Sequence, residues 1–163
     1  MAIKIALDLG IDKKIISKAL PKLYFEGRIQ YISSGKLINK LKPKERLLID
    51  GCHSTVSGKN LSDYLKKVQS PKYGVWSMMK NKDPSNFIKQ FKGVFEKVYT
   101  IPINGEKNSM SPKVLAKIAK KNNMNVSSFK SFDAVLKQIS TNDKKIICVF
   151  GSLYQCGNIL NKN

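Results

Sequence analysis

Acidic residues are few in this chain: 11 Asp and Glu stand against 30 Lys and Arg, giving a net charge of +19 at pH 7. Arginine is scarcer still, since only Arg28 and Arg46 carry a guanidinium and every other strong base is a lysine spread along the chain. Nucleic-acid surfaces favour the planar arginine fork or a compact basic block, so this diffuse lysine excess argues for a solvated face rather than specific nucleic-acid binding. Cys52, Cys148 and Cys156 are odd in number and show no C-x-x-C spacing. That pattern argues against a disulfide framework and a zinc ribbon, and leads us to expect three free thiols in a reducing compartment. No apolar run nears the ~20 residues a bilayer span needs. The N-terminal stretch, broken by Lys4, Asp8 and Asp12, lacks the apolar block and cleavage site of a secretory signal. A cytoplasmic protein with no membrane contact is therefore the expectation. Also missing are G-x-x-x-x-G-K-[ST] and G-x-G-x-x-G, so any nucleotide phosphates must be held mainly by something else.

What is present is enough for one domain spanning 1–163, since 42% of the residues are hydrophobic and the length suits a single core. From Leu47 onward two periods alternate. Continuous apolar runs at 46–50, 72–79, 96–103, 124–129 and 144–150 read as buried strands. Between them lie helical stripes: Leu61, Tyr64, Leu65 and Val68; Phe87, Ile88 and Phe91 after an Asp83-Pro84 start; Val114, Leu115, Ile118 and Ala119 after Ser111-Pro112; and Phe132, Val135, Leu136 and Ile139. This alternation predicts an α/β fold of three layers, with a mainly parallel sheet and helices on both faces. Upstream, Asp12 is placed to cap a helix bearing Ile15, Ile16, Ala19 and Leu20, and "RIQYISSGKLI" reads as two short strands around a Ser34-Gly35 turn.

In an open parallel sheet, ligands bind beyond the carboxyl ends of the strands. Three loops lie there: Asp50-Gly51-Cys52-His53, Lys80-Asn81-Lys82-Asp83, and Gly151-Ser152. Cys52 and His53 are neighbours in sequence, a poor arrangement for a nucleophile and its base, and one histidine with scattered thiols falls short of a zinc ligand set. No catalytic residue and no metal ligand is therefore expected in this chain. As a nucleotide grip the cluster is more coherent, because a strand-end aspartate can accept from ribose hydroxyls and a nearby ring can stack on a base. The pattern leaves open that Asp50 only caps its turn. Arg28 is a candidate phosphate clamp, or an ordinary edge ion pair. Lys82 is a candidate phosphate or loop contact, Asp83 is explained as a helix cap, and Ser152 lacks the second glycine of a nucleophile elbow.

Taken in order and spacing, "FEGRIQ" (25–30), "LLIDGCHS" (47–54), "NKD" (81–83) and "FGSLYQCG" (150–157) resemble the C-terminal domain of folylpolyglutamate synthase and bifunctional dihydrofolate synthase, in the Mur-ligase superfamily. The family pattern is approximately W-P-G-R, D-G-A-H-N, D-K-D and G-S-L-Y-x-x-G. The resemblance implies a Rossmann-like domain that closes over ATP held mainly by an N-terminal P-loop ATPase domain, which also carries the Mg2+ ligands and lies outside this chain. It implies a ligase that activates a pteroate or folate carboxylate as an acyl phosphate, attacked by the amino group of L-glutamate. Carried over by motif, Arg28 would meet the ATP phosphates, Asp50 the ribose and His53 the adenine side, with Ser152 and Tyr154 facing the glutamate cleft. The implied partners are the ATPase domain, folate or dihydropteroate, and L-glutamate, with no turnover by the chain alone. Phe25-Glu26 stand where the family has Trp-Pro, Ser54 stands for an asparagine, and Glu26 sets a negative charge beside the proposed phosphate contact. The alternatives are a decayed remnant or a non-catalytic basic α/β module that binds nucleic acid or a protein.

Overall fold

The computed structural model describes residues 2–163. Two short helices, α1 (Ala2–Asp8) and α2 (Lys13–Ala19), and a 3₁₀ turn (Leu20–Lys22) precede the sheet. Asp12 caps α2 by accepting from the Lys14 N–H at 2.6 Å, as its position before an apolar stripe predicts. Then come β1 (Gln30–Ile32), β2 (Glu45–Asp50), α3 (Thr55–Lys67), β3 (Lys72–Trp76), α4 (Pro84–Lys89) and β4 (Lys97–Thr100). The chain continues through α5 (Pro112–Lys121), β5 (Val126–Ser128), α6 (Phe132–Ile139), β6 (Lys145–Phe150) and α7 (Leu153–Leu160).

The six strands are ordered β1-β2-β6-β3-β4-β5. All neighbours are parallel except β1, which runs antiparallel to β2 with Tyr31 opposite Leu48. The continuous apolar runs arise because β6 is buried along its whole length, as a central strand covered on both faces must be. One face packs against α3, α4 and α5 through Leu61, Leu65, Phe87, Phe91, Leu115 and Ala119. The other packs against α6 and α7 through Phe132, Val135, Leu136, Cys156 and Ile159. The result is the three-layer α/β architecture the periodicity predicts. On the first face an aromatic cluster centres on Phe150, with Phe91 at 4.7 Å, Phe95 at 5.1 Å and Phe87 at 5.9 Å between ring centroids. Each such buried ring contributes about 1.5–3 kcal/mol by leaving water.

The predicted hairpin around Ser34-Gly35 does not form. Residues Ile38–Lys40 make a 3₁₀ turn, and β1 takes its partner from β2 instead. The cause is a tie from the far end of the chain: the Lys36 N–H donates to the Asn163 carbonyl at 2.8 Å and the Asn163 amide donates to the Ser34 carbonyl at 2.8 Å. Strands predicted to reach Met79 and Ile103 end at Trp76 and Thr100; beyond β3 the Met78 carbonyl accepts from the Met110 N–H at 2.8 Å, and beyond β4 the Ile103 N–H donates to the Ser109 hydroxyl at 3.0 Å.

The amino-terminal edge of the sheet is braced by a buried ion pair. Glu45 and Lys145, both buried, pair at 3.4 Å. Lys145 Nζ also donates to the Ile139 carbonyl at 3.0 Å and to the Thr141 hydroxyl, and the Glu45 carboxylate accepts from the N–H groups of Lys42 and Thr141 at 2.9 and 3.0 Å. With every charge partnered, that edge is a structural latch. The opposite edge is open.

Candidate functional site

β2 leads through α3 to one face of the sheet and β6 leads through α7 to the other, so the crevice beyond their carboxyl ends is the switch point where ligands of open α/β sheets bind. Two clefts open there. One, of about 350 Å³, is lined by Arg28, Ile29, Asp50, Cys52, Ser57, Asn60 and Leu61. The other, of about 190 Å³, is lined by His53, Met79, Asn81, Lys82, Gly151, Ser152, Leu153 and Tyr154.

The first cleft is built around Asp50, which is buried. One carboxylate oxygen accepts from the Cys52 N–H at 2.8 Å and the other from the Ile29 N–H at 2.8 Å. Asp50 therefore caps its own turn and also moors the segment that carries Arg28. A third tie runs from the Gly51 N–H to the Gly27 carbonyl at 2.7 Å. The mooring holds Ile29 at φ +42°, a left-handed conformation that a β-branched residue adopts only under constraint, at about 1–3 kcal/mol. A Cβ at Gly51 would overlap Leu153 and come within 2.8 Å of the Arg28 guanidinium, so any larger residue there would push both side chains aside. Arg28 itself is exposed, makes no ion pair among the described residues, and has one long bond of 3.4 Å from Nη1 to the Gly27 carbonyl. Its guanidinium is presented and available.

The second cleft is built by β2, β3, β6 and α7. His53 Nδ1 lies 2.9 Å from the Gly51 carbonyl, which can only accept, so Nδ1 carries the proton and Nε2 is left free. Ser152 stands at the N-cap of α7, yet its hydroxyl makes no capping bond and, although buried, has no partner. Buried hydroxyls are normally satisfied, and this one borders the cleft. Trp76 Nε1, Ser77 Oγ and Gln155 Oε1 are likewise buried without partners. Gly151, at φ +100°, lets β6 turn into α7 against that group, where a Cβ would overlap the Ser77 carbonyl. Asp83 is occupied as the cap of α4: it accepts from the Asn86 N–H and side-chain amide at 3.1 and 2.6 Å, and these bonds hold its carboxyl below the usual range.

The structure thus gathers all six sequence-predicted residues at one sheet edge but divides them. Arg28 and Asp50 line one cleft; His53, Lys82, Ser152 and Tyr154 line the other. Gly51, with Leu153 and Arg28 packed close over it, lies where the two clefts meet. Sequence reasoning missed Ser57, Asn60 and Met79, and named Asn81 only as part of its strand-end loop. Ser57 and Asn60 are three apart on α3, a same-face spacing that pointed to the edge once α3 was placed. The orphaned Ser77 and Gln155 left no sequence signal.

The three cysteines are free and buried. Burial, followed by the nearby Asp50 charge, drives the Cys52 and Cys148 thiols far up and pushes Cys156 up to about 12, so none is a nucleophile. Among the described residues no group of three or more His, Cys, Asp or Glu is placed to hold a metal ion, and no helix is long and apolar enough to cross a membrane.

Comparison with known proteins shows the family and the fold of the chain. The family profile described as "Dihydrofolate synthetase, C-terminal domain" matches residues 34–162. No curated protein sequence matches the chain. Among solved structures, Escherichia coli FolC in complex with DHPP and ADP superposes with a TM-score of 0.72 at 19% identity, over 92% of this chain and 34% of that one. Mycobacterium tuberculosis folylpolyglutamate synthase complexed with ADP gives 0.74 at 17% identity, over 92% and 35%. Yersinia pestis bifunctional folylpolyglutamate synthase/dihydrofolate synthase complexed with AMPPNP and Mn gives 0.72 at 18% identity, over 92% and 34%. At these identities the likeness establishes the fold, and the chain spans about a third of the length of the structures it matches.

Proposed function

The chain belongs to the dihydrofolate synthetase C-terminal domain family, and from that premise we propose that it is the ATP-closing domain of a ligase that adds L-glutamate to dihydropteroate or folate. The observation that carries this reading is the family match across residues 34–162; the switch-point clefts support it. ATP, when bound, would supply the phosphoryl group that activates the substrate carboxylate as an acyl phosphate, and glutamate's amino group would then displace phosphate. The P-loop and the Mg2+ ligands would come from an ATPase domain outside residues 1–163.

Within that assembly the chain's residues have distinct tasks. Arg28, held out by the Asp50 mooring, would donate to phosphate oxygens, a charge-assisted contact whose planar fork also fixes direction. Asp50 uses one lone pair on each oxygen for the backbone, so its remaining lone pairs suit ribose hydroxyls. His53 would offer Nε2 on the adenine side of the nucleotide. Lys82 is a further phosphate or loop contact. The unpartnered Ser152 hydroxyl and the exposed Tyr154 would face the incoming glutamate. Closing the domain brings these groups to a nucleotide already seated elsewhere, so their contribution is orientation and water exclusion.

The test is kinetic. In the complete ligase, Arg28→Ala and Asp50→Ala each lower kcat/KM for ATP by about tenfold or more, equivalent to ~1.4 kcal/mol, while the fold survives. Unchanged kinetics in both would remove these residues from the site. The purified chain, given ATP, glutamate and dihydropteroate, shows no turnover; robust turnover would overturn its role as a partial domain.

A further inference from the structure

We propose that the cleft between the C-terminal end of α6 and the amino-terminal ends of β3 and β6 binds a small aromatic carboxylate. This site stands apart from the nucleotide edge and does not rest on the ligase reading. The cleft encloses about 380 Å³, lined among others by Pro71, Tyr73, Tyr99, Gln138, Ile139 and Lys144. It is larger than either cleft at the opposite edge, and its volume falls in the range of small-molecule sites, ~300–1,000 Å³. At about 3.3 Å per residue, β6 (Lys145–Phe150) sets the two edges roughly 17 Å apart. Both edges can therefore be filled at once.

Three observations point to this ligand. First, Tyr99 is only 4% exposed, and its hydroxyl has no hydrogen-bond partner among the described residues. The hydroxyl is not fully enclosed either, and the cleft is the opening that reaches it. Buried hydroxyls are normally satisfied, so this donor is left for an acceptor from outside the chain. Burial, followed by the nearby Tyr73, holds the Tyr99 phenol above its usual value, which keeps it protonated. Second, the surrounding charge is positive. Lys97 Nζ lies 5.3 Å from the centre of the Tyr99 ring and Lys145 Nζ 5.8 Å from that of Tyr73. Lys144 at the rim is exposed and makes no ion pair among the described residues. Against these three lysines stand Glu45, paired with Lys145, and Asp143, which accepts from the Thr141 hydroxyl at 2.9 Å. A balance of one positive charge suits a monoanion better than a phosphate dianion. The last turn of α6 would repel an anion, but Lys145 Nζ already donates to its Ile139 carbonyl at 3.0 Å. Third, the walls suit a flat ring. Tyr73 and Tyr99 rise from adjacent strands on the same face of the sheet, two residues apart in register, and Pro71 and Ile139 add apolar lining. Such rings accept an aromatic body by offset or edge contacts. The Tyr99 hydroxyl, the Gln138 amide and the Lys144 ammonium then supply donors for its carboxylate.

The experiment is a two-dimensional NMR titration of the isotope-labelled chain with sodium benzoate. Backbone amide shifts at Tyr73, Tyr99, Gln138 and Lys144 saturate with a millimolar Kd. They are unmoved by the same concentration of inorganic phosphate, which has the charge without the ring, or of benzyl alcohol, which has the ring without the charge. Tyr99→Phe weakens benzoate binding about tenfold or more, the loss of one hydrogen bond to a charged group. It does so without lowering the melting temperature, because the hydroxyl it removes bonds to nothing else in the chain. Lys144→Ala, at an exposed position, weakens binding by a smaller factor. The inference is overturned by any of four results: no saturable shift at these residues, shifts centred instead on Asp50 or Ser152, equal binding of phosphate or benzyl alcohol, or undiminished benzoate binding by both variants. A lowered melting temperature in Tyr99→Phe would also overturn it, by making the hydroxyl structural.

Discussion

α2 and α5 carry the same apolar stripe and meet opposite fates. Val114, Leu115, Ile118 and Ala119 repeat the spacing of Ile15, Ile16, Ala19 and Leu20. Leu115 and Ala119 are fully buried against the sheet, whereas Ile15 and Leu20 remain 61% and 42% exposed. A stripe thus states that a helix needs a partner without stating which body supplies it. Where the partner is the chain's own sheet the stripe becomes core. Where it is not, the stripe stays exposed.

That contrast can be attacked from both sides. The largest effect belongs to the sheet: Phe150→Ala, at the centre of the aromatic cluster, costs about 3–5 kcal/mol, measured by urea denaturation of the purified chain. A loss under about 1 kcal/mol would mean that the central strand is not packed as described. Next comes Asp50→Ala, which strands the Ile29 and Cys52 N–H groups and costs about 1–3 kcal/mol on the same assay, with Asp50→Asn losing less because one acceptor oxygen remains. A smaller effect comes from Asp133 on α6. Its bonds from Lys40 and Lys162, at 2.8 and 2.9 Å, bring its carboxyl down to about 2. A depressed carboxylate contributes stability above its unfolded value of ~3.9 and loses it as pH falls from there through about 2. Because the carboxylate is part-exposed, solvent screening limits this to about 0.2–1 kcal/mol. Asp133→Asn should flatten the stability profile of the chain over pH 4 to 2, and an unchanged profile would discard the pair. The smallest effect is the most telling. Ile15→Ala shifts stability by less than about 0.5 kcal/mol in the isolated chain, although the same truncation of a buried isoleucine costs about 2–5 kcal/mol.

Most of the sheet was legible because its strands are buried on both faces and therefore read as unbroken apolar runs, and because Asp83-Pro84 and Ser111-Pro112 announce their helices. What escaped was non-local. The turn at Ser34-Gly35 looked like a hairpin, but Asn163, more than a hundred residues away, ties it down and the chain runs on into a 3₁₀ turn at Ile38–Lys40. α7 went unassigned because Gly157 interrupts its stripe and its N-cap serine makes no capping bond. At the site, Asp50, His53 and Ser152 were findable from their strand-end positions. Their division between two clefts was not, since it depends on where Leu153 and Arg28 pack around Gly51. The strain at Ile29 also had no signature, because it follows from the Asp50 carboxylate reaching across from another strand.

The place of β6 in the strand order governs how the chain is made as well as how it is held. The strand nearest the C-terminus lies between β2 and β3 and bonds to both. Until it emerges from the ribosome, β1-β2 and β3-β4-β5 are two separate ribbons, each with a bare apolar edge and nothing to join them. The sheet therefore cannot close before β6 has been made, and until then those edges are open to association. A stop codon ahead of Lys145 would leave two unpaired ribbons prone to aggregation rather than a slightly shorter domain.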